Sequence, residues 1–215
     1  MLINISQLTF GLARGVLGAT PHRMGVWVQG CSLPKCPGCA SMHTWPREGG
    51  TRIRIASLME LAHRQPKTPS GLTISGGEPT DQADAVTALA EAFRSEFPEA
   101  EIVLYSGLNW PTLAARHPQL IAALDVAITG PFRQELESTP LSGSRNQDVV
   151  LLSNLARDLY QGWEQWPQGV IQIGSGPEGA IITVGVPDTT RMRRAARQSG
   201  FEQWSWHTRK SRTND

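Results

Sequence analysis

The three cysteines of this 215-residue chain lie on one short stretch, Gly30-Cys-Ser-Leu-Pro-Lys-Cys-Pro-Gly-Cys39. An odd number of thiols packed this closely is a poor disulfide framework, and a cytosolic chain would keep them reduced. Clustered thiolates read instead as ligands of one metal centre. Cys31, Cys36 and Cys39 can each take one iron of a [4Fe-4S] cube and leave the fourth iron open. An electron-transfer cluster ordinarily takes a fourth cysteine, which this chain lacks. Zinc is the competing chemistry, because His43 completes a Cys3His set with tetrahedral spacing. On the cysteines alone the two metals stand level.

A second group of residues, Ile74-Ser-Gly-Gly-Glu-Pro79, follows about forty residues later. Two glycines after a strand let a ligand approach the backbone, since no Cβ intervenes. The carboxylate of Glu78 can accept hydrogen bonds from a cationic amine. Alone such a turn is an ordinary loop. Its place at the end of the next strand after a three-cysteine loop makes it specific.

These groups need strands to hold them. Gly25–Gly30 alternates and is rich in β-formers, which predicts a strand running into the cysteine loop. A helix is expected over 55–64 and a strand over Leu72–Ser75. From Asp81 to Phe97 apolar residues recur at three- and four-residue steps, an amphipathic helix with Asp81 as N-cap. A strand at 101–105, a helix near 111–123, a strand at 124–129 and a long loop at 131–148 follow. Weaker strands are expected at 170–173 and 180–184, then a helix near 189–198. Strands alternating with helices imply parallel βαβ units, whose sites gather at the C-terminal strand ends. The cysteine loop, Gly76–Pro79, Ser106-Gly107 and Gly130 would then share one rim.

With these elements in place the sequence resembles the radical S-adenosylmethionine superfamily. More closely, it resembles the small activating enzymes of anaerobic ribonucleotide reductase. The resemblance runs over roughly residues 3–150 and is carried by Val26-Trp-Val-Gln-Gly-Cys31, Cys36-Pro-Gly-Cys39, Thr44-Trp45, Ser75-Gly-Gly-Glu-Pro79, Tyr105-Ser-Gly107, Asp125-Val-Ala-Ile-Thr-Gly-Pro-Phe132 and Leu141-Ser-Gly-Ser-Arg-Asn-Gln147. It implies an α/β fold, a partial (βα) barrel with parallel strands, open on one side. It implies a [4Fe-4S] cluster on Cys31, Cys36 and Cys39, with S-adenosyl-L-methionine chelating the open iron. Ser75, Gly76, Gly77 and Glu78 would meet the methionine amino group, and Ser106 and Gly130 would line the rest of the cofactor. The implied activity is reductive cleavage of that cofactor to a 5′-deoxyadenosyl radical, with a flavodoxin- or ferredoxin-like electron donor. The implied target is a backbone glycine of a glycyl-radical enzyme; a small molecule, nucleotide or peptide is the alternative. A non-catalytic zinc module would explain the cysteines and His43 but leaves Gly-Gly-Glu and Leu141–Gln147 without a role. Two departures stand out. Four residues separate Cys31 from Cys36 where the family has three, and Thr129 stands where relatives often carry an acid.

Composition agrees with a single domain over residues 1–208, of which 151–208 match less clearly, followed by a disordered tail at 209–215. Forty per cent apolar residues can build a core. A net charge of +1 speaks against a general nucleic-acid or membrane-surface role. No apolar run reaches membrane-spanning length and the first residues lack a secretory pattern, so a cytoplasmic location is expected. Of the remaining candidates, Trp27 is expected to pack in the barrel, and for Trp163, Trp166, Trp204 and Trp206 core packing is the plainer reading and a partner-docking face the functional one. Trp45 would shield the cluster loop. Arg191, Arg193, Arg194 and Arg197 read as a solvated helix face. Asn146 and Gln147 shape either a substrate opening or a capped turn. Asp125 is weighed evenly between a rim function and a backbone cap.

Overall fold

The computed structural model describes residues 1–175 and 181–186 and positions 188 and 198. Its elements in chain order are β1 (Leu2–Leu12), β2 (Arg23–Val28), β3 (Thr51–Arg54), α1 (Ile55–His63), β4 (Gly71–Gly76), α2 (Ala83–Glu96), β5 (Glu101–Ser106), α3 (Trp110–Arg116), α4 (Pro118–Ala122), β6 (Val126–Thr129), β7 (Asp148–Leu151), α5 (Asn154–Leu159), β8 (Ile171–Ser175) and β9 (Ile181–Gly185). The first seven strands make one sheet in the order β3-β1-β2-β4-β5-β6-β7, and β8 and β9 pair separately.

The four strands expected to carry the chemistry, β2, β4, β5 and β6, are parallel neighbours. Here the βαβ reading holds. The flanks differ from an all-parallel barrel: β1, β3 and β7 are antiparallel to their neighbours, and the sheet is a mixed one. The physical reason lies in the connections. A parallel return needs a crossover of about a dozen residues or more, usually a helix. Residues 13–22 and 130–147 contain no helix, so the chain turns straight back on itself.

Period-two alternation divides the sheet into two faces. Met24, Val26, Val28, Leu72, Ile74, Ile102 and Leu104 are fully buried on one face against Leu58 of α1 and Val86, Leu89 and Phe93 of α2. The intervening residues, among them Trp27, Thr73, Val103, Tyr105 and Ile128, point the other way. That face is covered by Val16, Leu17 and Ala19, by Leu141 and Tyr160, and by Val184 and Val186 around β9. Trp163 and Trp166 pack there as well, which bears out the packing reading. At the N-terminal strand ends Arg23 and Glu101, both inaccessible, form an ion pair. Arg23 also donates to Thr73 Oγ1 (3.0 Å) and the Leu72 carbonyl (2.9 Å), so its charge is held in a dense set of acceptors.

Three local expectations change. The helix expected over 111–123 is two helices, because the residue before a proline avoids helical backbone; His117, before Pro118, sits at φ −132°, ψ 51°. Asp81 does not cap α2. A 3-10 turn over Pro79–Gln82 precedes that helix, capped by Glu78. Asp125 stands at the N-terminal end of β6, away from the rim. It accepts from Ile102 N (2.7 Å) and Ser153 Oγ (2.6 Å) and pairs with Arg94, so it ties backbone and helix together. The helix expected near 189–198, with its arginines, Trp204 and Trp206, and the tail at 209–215 lie outside the described residues, Gln198 excepted. No described helix is long and apolar enough to cross a membrane.

Candidate functional site

Parallel alignment places the ends of β2, β4, β5 and β6 at one rim, and a cavity of about 260 Å³ opens there. Cys31, Cys36, Cys39, Ser75, Gly76, Gly77, Glu78, Ser106 and Gly130 all line it. The residues singled out from sequence thus meet in one place.

The glycines, which line the cavity, also let backbone approach backbone. Gly76 has φ +112°, open to glycine at little cost, and a Cβ there would strike the Val28 backbone. A Cβ at Gly77 would collide with the Gly30 carbonyl. The space is taken by the neighbouring strand end. Gly77 N donates to the Val28 carbonyl (2.9 Å) and Glu78 N to the Gly30 carbonyl (2.8 Å). Two glycines therefore splice the Gly-Gly-Glu turn, backbone to backbone, onto the residue that precedes Cys31.

Glu78 is 1% exposed, and burial pushes its carboxyl above the usual range. Its Oε1 accepts from Thr80 N (3.1 Å), Thr80 Oγ1 (2.8 Å) and Ser106 Oγ (2.8 Å), whereas among the described residues Oε2 accepts only from Gly107 N (2.8 Å). A carboxylate has about four acceptor sites, two on each oxygen. One direction on Oε2 is left, on a residue that lines the cavity. Ser106 is thus a buried support for Glu78.

The cysteine loop is fastened at points that the sequence reading passed over. Ser32 donates through N (2.7 Å) and Oγ (2.5 Å) to the two carboxylate oxygens of Asp81, the true role of that residue. Leu33 occupies the space beside Gly107, and Gln134 the space beside Gly38. Lys35 Nζ donates to the Cys31 carbonyl (2.8 Å) and lies 5.1 Å from the Trp45 ring centroid. The four-residue spacing is accommodated by this folding back. The one signal for these contacts was the charged or polar character of Ser32, Lys35 and Asp81.

All three cysteines are unpaired and half-buried. Burial pushes the Cys31 and Cys39 thiols up, so a metal must displace protons to bind them. Among the described residues no three His, Cys, Asp or Glu side chains converge so that a single ion could join them. Zinc needs that convergence. A cluster does not, because each cysteine takes a different iron. The donor set fits the cluster. His43 lines the cavity, and burial holds it below its ordinary value, hence neutral.

Around Gly130, Gln147 Nε2 donates to the Gly130 carbonyl (2.9 Å) and Asn146 Nδ2 to the Pro131 carbonyl (2.9 Å), so the 131–147 loop is a tied turn whose Gln147 also faces the cavity. Thr129 is fully buried and its hydroxyl has no partner among the described atoms. Removing an unsatisfied buried hydroxyl is close to neutral or stabilising. Thr129→Val is therefore expected to raise stability by up to about 1 kcal/mol, read by thermal unfolding. A loss above that would mean the hydroxyl is engaged. Thr183, Val184, Gly185 and Val186 supply a further wall, which the faint C-terminal patterning did not announce.

Residues 17–150 match the family described as 4Fe-4S single cluster domain. An anaerobic ribonucleoside-triphosphate reductase-activating protein of Vibrio cholerae is 31% identical over 145 residues, 62% of this chain and 90% of that protein. The protein of that name in Salmonella typhimurium is 30% identical over 139 residues, 59% and 86% of the two chains. In Escherichia coli K12 the figures are 28% over 134 residues, 59% and 86%. The solved structure of QueE from Escherichia coli superposes with a TM-score of 0.42 at 14% identity, over 74% of this chain and 68% of that one.

Proposed function

This chain belongs to the 4Fe-4S single cluster domain family of the anaerobic ribonucleoside-triphosphate reductase-activating proteins, and from that premise we propose that it is a radical S-adenosylmethionine enzyme whose target is a glycyl-radical enzyme. The observation that carries the reading is the joining of its two chemical loops. Three unpaired cysteines and a buried carboxylate face one cavity, and the Gly30–Glu78 backbone hydrogen bond fixes one loop against the other.

Cys31, Cys36 and Cys39 would hold the [4Fe-4S] cluster. When bound, cluster and S-adenosyl-L-methionine together supply a 5′-deoxyadenosyl radical for hydrogen abstraction. The chain's own residues bind, orient and shield. Glu78 offers its free Oε2 direction to the cofactor's ammonium, and the charge that arrives offsets the burial that raises its carboxyl. Thr80, Ser106 and Gly107 keep that carboxylate from turning away. Ser75, Gly76 and Gly77 present backbone at the methionine end, and Gly130, fixed by Gln147, presents backbone at the other. Leu17, Trp27, Tyr105 and Val184 limit water on the side away from the helices.

The four parallel strands with helices on one face support an open, partial (βα) barrel. The return of β9 to the cavity supports a single domain over residues 1–208. A flavodoxin- or ferredoxin-like protein is the proposed electron donor, and the cytoplasm, where thiols stay reduced, the proposed location.

Anaerobic incubation with S-adenosylmethionine, a one-electron reductant and a co-purified glycyl-radical enzyme is expected to give a protein-based glycyl radical by electron paramagnetic resonance. A second reading, a small-molecule target, draws on Val184 and Val186, which wall the cavity from beyond the family-matched residues. Deoxyadenosine without any protein radical would favour it and overturn the first.

A further inference from the structure

The folding back of Lys35 has an electrostatic consequence for the group its neighbours would hold. Lys35 lies among the four residues that separate Cys31 from Cys36. Its side chain returns across the loop, with Nζ 2.8 Å from the Cys31 carbonyl and above the face of Trp45. Both partners are uncharged: one is a backbone oxygen, the other an aromatic face that attracts cations. The described ion pairs are those of Arg23, His63 and Arg94, so no carboxylate in that set pairs with the ammonium. The charge is held in place and, among the described residues, left without a carboxylate partner.

The position is close to the cysteines: the carbonyl that Lys35 holds is that of Cys31, and Trp45 and all three cysteines line the same cavity. Two acidic side chains stand nearby, Glu78 in the cavity wall and Asp81 hydrogen-bonded to Ser32. The loop therefore sets one fixed cation against two acidic side chains, beside the place a cluster would occupy.

We propose that Lys35 is a fixed cation that raises the reduction potential of the cluster held by Cys31, Cys36 and Cys39. Reduction moves a single electron from the external one-electron donor to the cluster, and the cluster with its thiolates becomes more negative by one charge. A nearby cation favours the more negative form, and net charge around a cluster is one of the determinants of its potential. Without Lys35 the acidic side chains of Glu78 and Asp81 would have no cation set against them in this loop, and a donor of flavodoxin or ferredoxin class would reduce a smaller share of the clusters. The inference rests on the cluster reading above.

The test is a redox titration of anaerobically reconstituted protein, without S-adenosylmethionine, followed by electron paramagnetic resonance. Lys35→Met keeps an apolar stem over Trp45 and removes only the charge. It is expected to hold as much iron as the wild-type protein and to titrate at a lower potential, whereas Lys35→Arg titrates close to wild type. The gap between wild type and Lys35→Met should shrink as ionic strength rises, because an exposed charge is screened over about 10 Å at 0.1 M salt. A Lys35→Met cluster with the wild-type potential, or a gap that ignores salt, overturns the proposal. If Lys35→Met fails to load iron, Lys35→Gln is titrated in its place under the same criteria. Iron absent from the wild-type protein itself would instead be a failure of the cluster reading.

Discussion

Alanine at Cys36 leaves a folded chain that no longer holds a four-iron cluster and releases no 5′-deoxyadenosine. The thiol is half-buried and its one described hydrogen bond is a weak contact of 3.8 Å with the Pro34 carbonyl. Losing it should change the stability of the metal-free protein by about 0.5 kcal/mol or less, as for substitutions away from core and caps. The effect on the cluster is of another order. In the proposed site three thiolates would be the whole protein contribution, and the sequence has no fourth cysteine to replace one. The neighbouring His43 faces the same cavity and offers an imidazole in place of a thiolate. Thermal unfolding of the apo-protein, iron analysis and a cleavage assay separate the two effects. Cofactor cleavage retained in Cys36→Ala would remove that cysteine from the ligand set and with it the three-cysteine reading.

Gly77→Ala is expected to lose about 3 kcal/mol of stability, the upper end of the usual cost of overpacking. The methyl group meets the Gly30 backbone carbonyl, and neither side of that contact is a side chain able to rotate aside. Relief requires the Gly-Gly-Glu turn to move off the end of β2, which breaks the hydrogen bonds from Gly77 N to Val28 and from Glu78 N to Gly30. The cysteine loop begins at the next residue, so iron loading should fall together with stability. Gly107→Ala is the control, since its methyl meets only the end of the Leu33 side chain and the Glu78 carboxylate at contact distance. Its cost should be clearly smaller in the same unfolding assay. Equal stability of Gly77→Ala and the wild-type protein would mean that the two loops are not joined in this way.

The parallel centre of the fold was legible because its strands are buried on both faces and read as short apolar runs ended by glycine. The same logic placed the four loops on one rim, and the nine residues proposed for the site all reach it. The antiparallel flanks were not legible. β1 carries Ile3 and Ile5 inward, but Gln7 and Thr9 interrupt the pattern and register shifts break its pairing with β2. β3 is four residues long with two exposed arginines. What such strands pair with depends on connection length, which local patterning does not encode. The roles of individual side chains followed the same division. Glu78 could be picked out by type and position, yet its four supporting donors come from Thr80, Ser106 and Gly107, which meet it only in the folded chain. Asp81 has the sequence features of a helix cap and serves Ser32 instead, a pairing 49 residues apart. The glycines were recognised as a close approach, and only the packing of β2 against β4 shows that the approaching group is backbone.

The central claim is tested most directly by iron and sulfide analysis of the chain reconstituted without oxygen, followed by dithionite and S-adenosylmethionine. The expected result is about four irons per chain, an absorption band that bleaches on reduction, and release of 5′-deoxyadenosine. One zinc per chain after reconstitution with iron and sulfide, and no deoxyadenosine, would contradict it and make Cys31, Cys36 and Cys39 a structural site.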